Sequence, residues 1–226
     1  MNPHKKFKVT DIFIGIVFCL LFISLGVVIT INFRPLYYLD VGLLHIEQES
    51  GYDKDEILRN YNALIDYSSP FFRGDLEFPT FPSSDNGLEH FKEVKNIFSF
   101  FYILGAVTLI GAVSIILYKS RKRDYHYLLV STITSIVLPI LVALPLIINF
   151  DTTFIVFHKL FFRNDYWMFD PSTDPVINIL PSAFFMHCAF LIILFLLVGS
   201  LILFLFHLKL KDRSGIRYRM NKGLKL

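Results

Sequence analysis

Four stretches of this chain hold no Asp, Glu, Lys or Arg at all: Ile12–Phe33, Ile97–Tyr118, Leu128–Phe150 and Ser182–Phe206. About 20 apolar residues suffice for a helix to cross the ~30 Å hydrocarbon core of a bilayer. In that medium each backbone N–H and C=O must be satisfied within the segment, which leaves the α-helix as the form for isolated apolar runs. The composition agrees, with 54% hydrophobic residues and 18% charged, against roughly 25% charged in an ordinary soluble domain. Disordered, collagenous and disulfide-framework classes are thereby excluded. The first stretch exceeds the 7–15-residue apolar core of a signal peptide and has no small-x-small cleavage site. It is expected to stay as an uncleaved anchor. Phe18 precedes Cys19, where a lipobox requires a small residue, so the chain is not expected to be a lipoprotein itself.

Charge is sorted by side. Residues 1–11, 119–127 and 207–226 carry 14 of the 22 Lys and Arg but 3 of the 19 acids. The positive-inside rule then puts both termini in the cytoplasm. The KSRKR run at 119–123 and the basic tail serve as topology determinants drawn to anionic lipid. The slight basic excess therefore gives no reason to expect nucleic acid as a partner.

The expected organisation is 1–33 for the cytoplasmic N-terminus and first span and 34–96 for the first part of an extracellular cap. Residues 97–150 make the second span, a cytoplasmic loop and the third span. Residues 151–181 complete the cap, and 182–226 form the fourth span and tail. The fold class is an integral membrane, mainly α protein: four transmembrane helices under a small cap of mixed short helices and strands. The 94 cap residues are near the small end for an independent core, so packing onto span ends and lipid should supply part of the burial. Within the cap, Asp55–Tyr67 reads as a short helix and Leu76–Phe81 alternates weakly like a strand. At 1.5 Å per residue, Cys19 and Cys188 lie roughly 10 Å apart along the membrane normal. That is too far for a disulfide.

Of seven histidines, two fall in comparable places. His90 precedes the second span by seven residues, in NGLEHFKEVKNIFSFF. Asn86 with Glu89 resembles a capping pair, which predicts a helix that starts outside and runs into the membrane. His90 would then share a face with Val94, Ile97 and Phe101. His158 follows the third span in DTTFIVFHKLFFRNDYW. Capped by Asp151 or a following Thr, a short helix there would align Phe154, Phe157 and Phe161 with His158 and lie in the interface. Both imidazoles thus arrive among aromatics, Phe91 and Phe162 included, at the outer headgroup layer. Histidine suits proton transfer near neutral pH because its unperturbed pKa is ~6.5. His4, His126 and His207 belong to the basic side and His45 to a less certain segment. His187, inside the fourth span, needs a polar partner.

A metal shell from His90, Glu93, His158 and Asp165 or Asp170 is the sharper alternative, but there is no HExxH and no second closely spaced His. No GxSxG elbow, P-loop or dinucleotide fingerprint occurs. No metal and no cofactor is expected. The segment Asn164–Pro171, with Trp167 and Asp170, followed by Asp174 and Pro181, reads as an interfacial aromatic belt on a proline-stiffened loop. Its carboxylates call for partners, for which Lys95, Arg163 or a histidine are candidates.

Five features together resemble the lipoprotein intramolecular transacylases (Lit). They are Asn60-Tyr61 followed by Tyr67, His90 in HFKEVK, FHKLFFRNDYW from Phe157, DPSTDPVINILP ending at Pro181, and Phe184-Phe185. Where the family usually has aspartate, this chain has Glu93. The resemblance implies a four-span bacterial membrane acyltransferase acting on diacylglyceryl lipoproteins of the outer leaflet. The sn-2 acyl chain would move to the α-amino group of the lipidated N-terminal cysteine, giving a lyso-form lipoprotein, with His90 and His158 as the catalytic pair. Asn60, Tyr61, Tyr67, Phe91, Glu93, Lys95, Phe157, Phe161, Phe162, Asn164, Trp167, Asp170, Asp174, Phe184 and Phe185 would bind or orient substrate. The alternatives from other classes are an interfacial lipid hydrolase, metal-dependent or not, and a non-enzymatic membrane scaffold.

Overall fold

The computed structural model describes residues 8–223, with backbone alone for Val142 and residues 212–223; His4 and the extreme ends of the basic segments lie outside the described residues. The helices in chain order are α1 (Val9–Asn32), α2 (Arg34–Leu43), α3 (Ile46–Ser50), α4 (Lys54–Ser68), α5 (Asp85–Arg121), α6 (His126–Ile148), α7 (Phe150–Phe161) and α8 (Ser182–Gly223), with a 3-10 turn at Pro175–Ile179 before α8. Three of them, α1, α5 and the Ser182–Lys211 part of α8, are long and apolar enough to cross a membrane, and α6 adds a shorter apolar stretch, His126–Leu141.

The chain divides into two compact units. One contains the described parts of Met1–Ser24, Leu104–Leu141 and Ile193–Leu226; the other contains Leu25–Ile103 and Val142–Ile192. In the first, Phe18, Leu21, Ala112, Tyr127, Leu128 and Leu203 form the apolar centre. Gly15 lets α1 close against Ser131 and Thr134, where a Cβ would sit 2.7 Å from the Thr134 hydroxyl. Asp11, 1% exposed, binds Lys119 at 2.9 Å, and Lys119 also reaches Asp124 at 3.3 Å.

The second unit has a core of Tyr37, Val41, Ile46, Ile57, Tyr61, Leu64, Val176, Ile179 and Phe184 with their neighbours. It is drawn from α2, α3, α4, the 3-10 turn and the start of α8. Tyr37 stacks on Tyr61 at 3.7 Å and meets the edge of Phe184 at 5.0 Å. Its hydroxyl donates to the Ile179 carbonyl at 2.7 Å, so the ring buries apolar area and satisfies its one polar atom.

The expected helix at 55–67 is α4, started by Asp53, whose carboxylate accepts from Glu56 N. The expected strand at 76–81 is not formed, and none of the described residues is in a strand. Pro79 and Pro82 lack the N–H a ladder needs, and the segment is held by side chains instead. Asn60 donates to the Thr80 hydroxyl at 2.7 Å and accepts from Thr80 N at 3.3 Å. Two caps also differ from expectation. Ser84, not Asn86, opens α5 by accepting from Gly87 N at 3.0 Å. Asn149, not Asp151 or a threonine, opens α7 by accepting from Thr152 N at 2.9 Å. In both cases the side chain two or more residues upstream reaches the first free N–H groups.

Candidate active site

α5 starts at Asp85, ahead of the apolar stretch that begins at Ile97, and carries His90 in its second turn. Its N-terminus is anchored by Asp174, whose carboxylate accepts from Ser84 N at 2.8 Å and from the Thr173 hydroxyl at 2.7 Å. Negative charge there also suits the positive end of the helix dipole. Gly87 is required by this anchor. A Cβ on it would collide with the Asp174 carboxylate and come within 3.2 Å of the Phe169 ring.

α7 supplies His158 and two of its neighbours. Phe154, one turn earlier, packs on the imidazole at 4.2 Å and Phe157 lies at 5.5 Å. The chain leaves the helix at Phe162, and that ring touches both histidines, His90 at 4.7 Å and His158 at 5.4 Å. The following loop brings Trp167 onto His158 at 4.9 Å and Phe169 onto His90 at 5.5 Å. The two imidazole centroids come to 5.9 Å from each other, and the residues are 4% and 8% exposed.

The ring nitrogens differ in their partners. His158 Nδ1 lies 2.8 Å from the Phe154 carbonyl. A carbonyl only accepts, so Nδ1 carries the hydrogen, and in the neutral ring Nε2 keeps the lone pair. His90 Nδ1 is buried with no hydrogen-bond partner, which costs on the order of 1–3 kcal/mol unless a ligand meets it. Burial pushes His90 down from 6.5 to about 4, helped by the neighbouring His158. Burial also lowers His158, against the opposing pull of the Phe154 carbonyl. Both rings are therefore neutral at pH 7.

A carboxylate supports the loop. Glu93, one turn after His90, accepts from Asn164 Nδ2 at 2.8 Å, and the Asn164 carbonyl accepts from the Trp167 indole at 3.1 Å. Thus Glu93, Asn164 and Trp167 form a chain that ends on the His158 ring. The other Glu93 oxygen, Oε2, is buried without a partner. A cavity of about 180 Å³ opens between Ser84, Asn86, Asp165, Tyr166, Phe169 and Asp174, and neither His90 nor His158 lines it.

The other expected site residues are placed elsewhere. Asn60 holds Thr80, Tyr61 is stacked in the core, and Tyr67 lies against Phe72 at 6.0 Å. Lys95 sits 4.3 Å over the Tyr67 ring and donates to the Phe72 carbonyl at 3.1 Å, so it sets no histidine tautomer. Asp170 caps its own turn by accepting from Ser172 N and Oγ. The carboxylates of Asp170 and Asp174 are thus met by backbone N–H groups and hydroxyls rather than by Lys95, Arg163 or a histidine. Phe91 stacks on Phe169 at 5.3 Å and backs the pair. Phe161 stacks on Phe157 and is largely exposed. Phe184 packs on Phe185, and Phe185 on Phe154 at 5.3 Å, which links the site to the core. Two contributors escaped sequence reasoning. Phe169 carried a signal as part of the aromatic loop. Asp40, which binds His187 with both oxygens at 2.9 Å, carried none. Among the described residues no three His, Cys, Asp or Glu side chains converge as metal ligands.

The sequence model of the family described as lipoprotein intramolecular transacylase Lit matches residues 12–185. The chain belongs to that family. It is an acyltransferase of the Lit type, with the apolar helices of a membrane protein. The in meso structure of the membrane-integral Lit from Bacillus cereus superposes with a TM-score of 0.86 at 38% identity, covering 92% of this chain and 98% of that one. Two Bacillus cereus Lit variants, with a histidine changed to arginine in one and to alanine in the other, each give a TM-score of 0.83 at 38% identity. They cover 92% of this chain and 95% and 96% of theirs. No curated protein matches the chain.

Proposed function

We propose that this Lit-family chain moves the sn-2 acyl chain of a diacylglyceryl lipoprotein onto the α-amino group of its lipidated cysteine, using His90 and His158. The reading rests on one observation above all: two imidazoles 5.9 Å apart, remote in sequence, share a buried aromatic setting. Membership of the family supports the reaction class.

The amine loses its ammonium proton to solvent, helped by an apolar environment that disfavours the charged form. Its nitrogen attacks the ester carbonyl while His158 Nε2 takes the second proton. The tetrahedral oxyanion needs hydrogen-bond donors aimed at it. His90, with no fixed partner at Nδ1, relays the proton from His158 to the departing sn-2 oxygen. The C–O bond breaks, an amide and a free hydroxyl form, and both rings return neutral. Donor and acceptor lie on one molecule, so holding them in attack geometry supplies up to ~7–11 kcal/mol of barrier reduction without a covalent intermediate. The ring wall of Phe154, Phe162, Trp167 and Phe169 excludes water, the competing acceptor.

In this reading the chain spans the membrane four times with both termini cytoplasmic. The histidine pair then faces the outer leaflet, where its lipoprotein partners are anchored. The exposed Ile155, Val156, Leu160 and Phe161 on α7 fit a helix that dips into the acyl-chain boundary. Mass spectrometry of lipoprotein N-termini, with and without this protein, tests the function. The expected product has one O-linked and one N-linked acyl chain. Two O-linked chains in both samples would overturn the reading.

A further inference from the structure

Glu93 has an oxygen with nothing to bind. Oε1 takes the Asn164 amide at 2.8 Å, and that bond is enough to hold the Trp167 loop. Oε2 is buried and unpartnered, as is His90 Nδ1, three residues earlier on the same helix. Residues three apart on a helix are neighbours, with Cβ atoms about 5–6 Å apart. The same stretch of α5 thus presents an anionic acceptor and a free imidazole nitrogen, both withdrawn from water. Lys92, the cation between them in sequence, is turned to Glu89 at 2.9 Å. Lys95 is engaged with Tyr67 and Phe72. A buried carboxylate oxygen facing no cation is costly, and a complementary positive ligand removes that cost.

We propose that Glu93 Oε2 is the subsite for the primary amine of the acyl acceptor, received as its ammonium and held beside His90. This deepens the reaction proposed above and rests on it for the identity of the amine. Glu93 then has two separable tasks, one per oxygen. Oε1 keeps the Asn164–Trp167 loop on His158, and Oε2 binds the substrate cation. After the ammonium proton is lost, a remaining N–H still donates to Oε2, which aims the nitrogen lone pair away from the carboxylate.

Glu93→Gln separates the tasks, because the amide oxygen can still accept from Asn164 while the negative charge is gone. The probe is a synthetic dialkyl-ether glycerol lipopeptide, which has no ester and cannot react, prepared with its cysteine amine free or acetylated. Binding is measured to the purified full chain in detergent. The native protein is expected to bind the free amine about tenfold more tightly or better, the scale of a hydrogen bond between charged groups. E93Q should bring the two ligands to within about threefold of each other. Glu93→Asp, which keeps the charge, should retain a preference. Equal binding of the two ligands by the native protein would overturn the proposal. So would a preference that survives unchanged in E93Q, provided tryptophan fluorescence shows the Trp167 loop still in place. If E93Q displaces the loop, Asn164→Ala decides: it shifts the loop without touching the charge. A retained preference in that variant upholds the ammonium subsite and a lost one overturns it. Because these ligands are inert, the binding ratio fails or stands independently of whether the native protein transfers an acyl chain from a diester.

Discussion

The unit that holds the His90–His158 pair also holds a second histidine arrangement, half-buried His187 with buried Asp40, and the two are built on opposite principles. His187 gives its Nδ1 to both oxygens of a carboxylate that is 2% exposed. The two short contacts fix the orientation of the ring. His158 gives Nδ1 to a backbone carbonyl, which fixes the tautomer without supplying a charge. His90 gives Nδ1 to nothing. A clamped ring ties α2 to α8 and has no free task, whereas rings kept neutral among phenylalanines retain a lone pair for a substrate proton. In the proposed reading, the partner of the ring nitrogen separates the two roles.

Substitution at the three rings is the strongest way to break this contrast. His158→Ala and His90→Ala should each lower acyl transfer by about 10²–10⁴-fold, the usual worth of general acid–base catalysis, with membrane insertion unchanged. His187→Ala should leave turnover per folded molecule within a few-fold. Comparable losses at all three positions in a mass-spectrometric transfer assay would erase the distinction.

Removing the clamp is the next largest effect. Asp40→Ala leaves His187 Nδ1 without its partner, and an unmet hydrogen-bonding group that is largely withdrawn from water costs about 1–3 kcal/mol. Thermal unfolding in detergent should show a clear fall in Tm. A Tm equal to that of the parent would mean that the pair adds nothing to packing.

A smaller change sharpens the catalytic side. Gly87→Ala drives a methyl into Asp174 and Phe169, an overpacking worth about 1–3 kcal/mol. It should displace the start of α5 and with it His90, so transfer falls by about tenfold or more while the core around Tyr37 stays intact. Full activity in G87A would show that the Asp174 anchor does not set the position of His90.

The smallest effect is in pH. His90 is held well below 6.5, at about 4. Between those values the unfolded chain binds a proton that the native ring refuses. Stability from this group is thus complete above pH 6.5 and is lost as pH falls toward 4, by at most ~1.4 kcal/mol per unit. Imidazole NMR should find His90 still neutral at pH 5.5. Titration at or above 6.5 would mean that water reaches the ring and that the dry setting does not exist.

Much of this was legible along the chain. The apolar runs, the helix at α4 and the helical settings of both histidines follow from local periodicity and breakers. So does the placement of Phe154 and Phe157 beside His158. The caps lie two residues upstream of the expected ones because several Ser, Asp and Asn side chains compete at each helix start, and only the path of the preceding chain selects one. Asn60, Tyr61 and Tyr67 belong to the motif that resembles the family; in the structure Asn60 holds Thr80, and Tyr61 and Tyr67 pack against aromatic rings.

The sequence by itself determined where apolar helices run and which two histidines stand among aromatics, because those properties repeat within a few residues. Tertiary structure decided what each imidazole nitrogen faces. Asn164 reaches Glu93 across 71 positions and Asp40 reaches His187 across 147. Hydrogen-bond direction and loss of water depend on such encounters, and no periodic pattern along the backbone encodes them.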